Sequence, residues 1–268
     1  MAPALPSQVK SLGVAALLVA SAPLWTAPSD ADAPPSPVPS TVPAAPRATV
    51  LQREFDAARS AWMAATPSST QSLPLVHEFC RLAYDLAALQ TLHAERARIT
   101  RLGIEAAEAS LVHHPQSAPT WYYLALNLGE LARTKSLGAL KLLPRIRDGL
   151  EAARTLDESL DWGGPDRTLG LLYLEAPGWP ASLGSRTKAR EHFLKAVALA
   201  PDYPGNHLCL AEALLRWHER DAAKAQLLVL DGIWTQARSR LSGPRWEADW
   251  SEWSQRRDAL RRGLGGTP

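Results

Sequence analysis

A fixed period constrains this chain more than any other feature. Pro115, Glu158 and Pro201 stand 43 residues apart, each just after a helix-like stretch. A repeat of roughly 20–50 residues marks a stacked array of helices, in which each unit buries its apolar face only against its neighbours. Such arrays usually bind rather than transform, and the surface they present decides what they bind.

The repeats can be aligned residue by residue. Trp121-x2-Leu124-Ala125-x2-Leu128, Leu169-Gly170-x2-Tyr173 and His207-x2-Leu210-Ala211-x2-Leu214 follow the first half of the tetratricopeptide pattern. Ala189-x3-Phe193-x2-Ala196-x4-Pro201 is the clearest second half, with weaker copies at Gly103, Ile146 and Ala223. Small residues (Ala125, Gly170, Ala189, Ala211) let two antiparallel helices approach, and large ones (Leu124, Leu169, Phe193, Leu210) fill the space between pairs. Proline after a second helix stops it, having no N–H to donate. The expected fold is all-α, a tetratricopeptide-like α-solenoid of about four helix pairs over residues 49–264, with flanking N- and C-terminal helices.

The spacing predicts an opening helix over 49–65 with Leu51, Phe55, Ala58 and Met63 on its buried stripe. It predicts pairs over 73–90 and 94–113, 118–133 and 144–158, 165–174 and 187–200, and 204–217 and 221–230. A last helix over 245–264 carries Trp246, Trp250 and Trp253 on one face, where they either cap the stack or meet a partner. The period exceeds the usual 34 because inserts separate the helices of the second and third pairs, near 135–144 and 175–188. Inserts on one face either shape a binding surface or thicken an edge.

Composition narrows the function classes. A net charge of +2 gives no case for nucleic acid. Lys10 precedes an apolar run over 12–22, a pattern of signal-peptide form too short for a usual membrane span. Residues 1–27 are therefore read as a signal peptide or short anchor, and export to the periplasm or cell envelope follows. The membrane enters only through an uncleaved N-terminus. Residues 28–48 form a proline-rich linker, with prolines at 28, 34, 35, 37, 39, 43 and 46. Cys80 and Cys209 lie on first helices separated by two intervening repeats, beyond disulfide reach, so both are expected as buried free thiols that act as small apolar groups.

The stretch over 73–230 carries two segments more specific than a generic repeat. These are GPDRTLGLLYLEAPGWPASLG (Gly164–Gly184) and LAPDYPGNHLCLAEALL (Leu199–Leu215). On them the chain resembles the T component associated with TRAP transporters, a periplasmic helical-repeat family. It is also similar to the mitochondrial regulator of microtubule dynamics family. The resemblance implies a water-soluble solenoid that partners a periplasmic solute-binding protein and forms a ring-like homo-trimer with an apolar passage.

No catalytic chemistry is legible. There is no phosphate-binding loop, no CxxC or HExxH, and His207 and His218 are too far apart along one expected helix to share a metal. No cofactor is expected. The stronger reading is a groove on the concave face, lined by Tyr84, Tyr122, Leu126, Arg167, Leu171, Leu208 and Glu212 and mostly apolar. It suits a small apolar ligand or a partner helix. The other reading is that the chain's own terminal helix fills it. A cell-envelope scaffold without a small ligand is the alternative function. In the Gly178-Trp179-Pro180 turn, Trp179 either projects as a contact or folds back as a lid. Gly170, Gly178, Pro180 and Gly184 are read as structural, as are Asn127, Arg167 and Asn206, expected to bridge backbone groups that the inserts leave free.

Overall fold

The computed structural model describes residues 47–135, 137–178 and 182–265. Among them the chain is all-α, a stack of helices with one isolated β-bridge, between Gly178 and Gly184. The proposed leader and the proline-rich linker as far as Pro46 lie outside these residues, as do Trp179 and Pro180; the last two residues assigned to the linker, Arg47 and Ala48, instead begin the first helix. The helices are α1 (Arg47–Ala64), α2 (Leu73–Ala88), α3 (His93–His113), α4 (Ala118–Ala132), α5 (Leu143–Leu156), α6 (Leu160–Glu175), α7 (Arg186–Leu199), α8 (Pro204–Arg216), α9 (Arg220–Arg240) and α10 (Glu247–Gly263). No helix among the described residues is long and apolar enough to cross a membrane.

Helices pair in chain order, α2 with α3, α4 with α5, α6 with α7 and α8 with α9. Proline stands in the first turn of α2, α4, α5 and α8, where its missing N–H costs nothing. Small residues set the closeness within a pair. A Cβ on Gly170 of α6 would lie 2.5 Å from the Phe193 ring of α7, and Phe193 is fully buried. Gly103 of α3 plays the same part against α2 and α4: a Cβ there would meet Ala83 at 2.9 Å and the Asn127 amide oxygen at 2.8 Å.

The first helices form one row, and α10 is its fifth member. Asn127 of α4 donates to the Cys80 carbonyl of α2, 47 residues back. Arg256 of α10 reaches the Cys209 sulfur of α8, also 47 residues back. Thus α10 follows α8 as α4 follows α2. Trp250 and Trp253 are buried beneath it, edge-on to Trp234 and Tyr203. Its opposite face carries exposed Glu247, Ser251, Gln255, Asp258 and Arg262, a polar surface that ends the stack.

Several details differ from the sequence reading. On α1 the buried positions are Leu51, Phe55 and Trp62, whereas Met63 is 71% exposed. Residues 51, 55 and 62 share one helical face, and position 63 is rotated about 100° away from it. Helix α9 runs ten residues beyond its expected end. Gly232 would weaken it, but Trp234 and Ala237 pack inward beyond that glycine, and tertiary burial overrides propensity. His218 lies outside α8, at φ 63°, so it does not share a helix with His207. The first insert is a 3-10 turn, Leu137–Lys141. The second closes on itself: a Cβ on Gly184 would sit 2.1 Å from the Ala176 carbonyl oxygen, so only glycine fits. Both cysteines are buried and free. Cys209 differs from the apolar role expected, because the Arg256 guanidinium points at its sulfur.

Candidate functional site

The junction between the second and third pairs holds the most unusual backbone. Asp161, Trp162 and Gly163 occupy consecutive left-handed conformations at φ 50°, 55° and 75°, just before Pro165. Two of the three carry a Cβ, so the turn is strained by about 1–2 kcal/mol at each of them. Gly163 takes the third position because a Cβ would press on the backbone of Ala196 at 3.2 Å.

A buried polar network holds the turn. Tyr122 Oη donates to Asp161 Oδ2 at 2.9 Å, and Arg167 Nη2 donates to the same oxygen at 2.6 Å. Arg167 Nη1 donates to Asn206 Oδ1 at 2.9 Å. Asn206 Nδ2 donates to the carbonyls of Trp162 (2.9 Å) and Ala196 (2.8 Å). Arg167 and Asn206 therefore bridge backbone groups, but at this junction between pairs and not at the inserts. Asn127 likewise serves helices, donating to Cys80 and Tyr123 carbonyls. Its amide oxygen lacks a partner and lies against Gly103. The turn also aims the indole of Trp162, which stacks on Tyr203 at 5.2 Å and 7° and meets Trp246 edge-on at 5.2 Å. The Arg167 guanidinium sits over the Tyr203 ring at 5.1 Å.

The residues predicted to line an apolar groove are placed differently. Tyr122, Leu126, Arg167 and Leu208 are all buried, at 3%, 6%, 7% and 0% exposure, and are used in helix seams or in the network above. Leu171 packs half-buried against the core. Glu212 is taken by Arg256 at 2.8 and 2.7 Å, a contact from the chain's own terminal helix. Tyr84, like Leu171, is partly buried and packed against the core, and no side-chain hydrogen bond is found for it.

What lines the inner face instead is charge. On α2, Arg81 pairs with Glu78 and Asp85, both at 2.6 Å. Charges from Arg245, two residues before α10, and from Asp249 within it act on this cluster: Arg245 on Glu78 and Tyr123, and Asp249 on Asp85. Burial raises the phenol of Tyr84, and the charges of Glu130, Asp85 and then Glu252 raise it further. Charges at and just before the start of α10 thus reach the α2 cluster, and Glu78, Arg81, Tyr84, Asp85, Tyr123, Arg245, Asp249 and Glu252 form one electrostatically coupled group, termed the cleft between α2 and α10. Sequence reasoning missed all of these except Tyr84. Glu78, Arg81 and Asp85 share a face at helical spacing, but nothing in the sequence brought the charges of α10 to them.

Burial dominates the carboxyls of this cleft. It pushes Asp85 up to about 6 despite Arg81, and Glu252 up to about 7 despite its bond to Arg256. Asp249 is also raised by burial. Glu78 moves the other way, held low by its hydrogen bonds to Arg81. The folded chain therefore keeps protons on Asp85 and Glu252 that the unfolded chain gives up. Their stabilisation is fully present below the ordinary carboxyl range and is lost as pH rises through about 6 and about 7. These two groups together lower stability by about 3 kcal/mol between pH 5 and pH 8, while His77 and His207, whose pKa values burial lowers, act in the opposite sense over the same range. Urea midpoints across that range for wild type and Glu252→Gln check this: the variant should lose less stability as pH rises than the wild type, and identical profiles would contradict it.

Two hollows lie elsewhere among the described residues. One of about 200 Å³ lies between the turn from α7 to α8 and the end of α9, with Trp162 and Tyr203 in its lining. The other, of about 440 Å³, lies between Arg238 and Trp250. Neither is lined by a residue of the predicted groove. Among the described residues, no three His, Cys, Asp or Glu are grouped to hold a metal ion.

No protein-family model matches this chain, and no curated protein is similar to it. The fold is that of an all-α helical-repeat protein, with a charged cluster on α2 that charges from the start of α10 reach.

Proposed function

We propose that this protein is an exported, non-catalytic binding protein that holds a protein partner in the cleft between α2 and α10. The partner we favour is a periplasmic solute-binding protein, the class that the resemblance to the T component implies. The observation carrying this reading is the lining of the cleft. Charges of both signs (Glu78, Asp85, Asp249, Arg81, Arg245) beside tyrosines suit a folded protein surface, where complementary charge sets orientation and encounter rate. A small apolar solute finds less support, because the apolar positions once assigned to a groove are buried in helix seams.

The test is native mass spectrometry of the full chain recovered from its own cells by gentle lysis. The expected result is a stoichiometric protein partner that is lost as salt rises and lost in Arg245→Glu, a change at an exposed side chain. The same spectrum counts subunits, three for the ring-like assembly. A bare chain, or one carrying only a small apolar molecule, would contradict the reading. Several partners at unequal ratios would favour the cell-envelope scaffold.

A further inference from the structure

The last helix of the row is held differently from the others. A stacked helix is secured by its neighbours. Helix α10 packs on α8 and α9, and its other side is the polar face that ends the stack. The link that joins it to α9 runs through Ser242, Gly243, Pro244 and Arg245, all exposed. Gly243 adopts φ 93°, and a Cβ there would meet nothing within 4 Å, so this glycine is a free pivot. Elements with few neighbours and exposed links open at lower cost than the fold as a whole.

The seat of α10 on α8 is built on charge. The Arg256 side chain is 6% exposed and donates to Glu212 of α8 at 2.8 and 2.7 Å and to Glu252 of its own helix at 3.1 Å. Its Nη2 also lies 3.4 Å from the Cys209 sulfur of α8. Asp249, within α10, acts on Glu252 as a third carboxyl, and Glu252 acts on Tyr84 of α2. On α9, Asp231 is taken by Arg257 and Arg261. One buried guanidinium thus serves two carboxyls. Burial lifts Glu252 from its ordinary 4.5 to about 7, with Arg256 opposing and Asp249 and Glu212 assisting. Seated, Glu252 keeps a proton that it gives up once α10 leaves α8. Seating is therefore fully favoured below 4.5 and weakens as pH rises through about 7.

We propose that α10 is a proton-gated cap, seated on α8 while Glu252 is protonated and freed to open about Gly243 when Glu252 ionises. Opening uncovers Cys209 and Glu212 on α8 and withdraws Arg245, Asp249 and Glu252 from the charged group on α2. The assignment rests on the contacts of α10 with α8 and does not depend on the partner reading of the inner cleft. Where that reading also holds, rising pH weakens the partner complex.

The test is alkylation of the full chain by N-ethylmaleimide at pH 6, 7 and 8, mapped by peptide mass spectrometry. Cys80 and Cys209 are both buried and free, so each reports the opening that exposes it. Rates are taken relative to a free peptide of residues 204–216, which cancels the titration of the thiol itself. The expected result is that Cys209 reacts well before Cys80, and that its relative rate rises about tenfold from pH 6 to pH 8. In Glu252→Gln, which cannot ionise, the rise should shrink to less than about twofold. Equal modification of the two cysteines would mean that only the whole domain opens, and would overturn the proposal. A rise as large in Glu252→Gln as in the wild type would overturn the gating by Glu252.

Discussion

Arg167→Ala is expected to destabilise the fold by about 2–4 kcal/mol, the cost of losing charge-assisted hydrogen bonds and leaving the Asn206 amide oxygen unpaired, while Asp161, a third exposed, keeps part of its hydration. Arg167 ties Asp161 to Asn206 and sits over Tyr203, and it is 7% exposed. Its loss leaves the Asp161 carboxylate with only the Tyr122 hydroxyl as a side-chain partner and removes a support of the left-handed turn. The turn is strained, so its release relaxes the junction between the second and third pairs instead of leaving it in place. Arg167→Lys keeps the charge but cannot satisfy Asp161 and Asn206 with a planar fork, and should recover only part of the loss. Urea unfolding of the full chain checks this. A loss below about 1 kcal/mol, the net worth of an ordinary hydrogen bond, would show that the network is incidental.

Phe193→Ala should cost about 3–5 kcal/mol, as expected for emptying a fully buried aromatic site. The more instructive change is on the facing helix. Glycine to alanine inside a helix ordinarily gains about 1 kcal/mol. At Gly170 the sign should reverse to a loss of about 1–3 kcal/mol, because the new methyl meets the Phe193 ring. Gly170→Ala combined with Phe193→Leu should lose less than the two single changes together, since the smaller side chain makes room for the methyl. A stabilised Gly170→Ala would mean that the two helices are not held at this distance by packing.

These residues also mark how far the sequence can be read. The all-α stack was legible from the 43-residue period and Gly170 was read as a close-approach residue, but Phe193, expected to fill the space between pairs, packs within its own pair against Gly170. The buried tryptophans of α10 were legible from their spacing. Helix registers were less so: Met63 and Trp62 are both apolar, and only the packed face distinguishes them. The groove was misread for a similar reason. Tyr122, Leu126 and Leu208 sit where a solenoid can turn side chains inward, but an apolar residue there is also suited to a helix seam, and the seam took them. Asp161-Trp162-Gly163 carried a turn signal before Pro165, but three consecutive left-handed residues are set by Arg167 and Asn206, which lie farther along the chain. The cleft itself depends on charges from the start of α10 reaching α2, a long-range arrangement that no local pattern encodes.

The cleft between α2 and α10 is tested most directly by hydrogen-exchange mass spectrometry of the full chain with and without its co-purified partner. The account predicts added protection on α2, on the start of α4 around Tyr123, and on the first half of α10. Protection confined to the outer helices α3, α5 and α7, with the cleft unchanged, would contradict it.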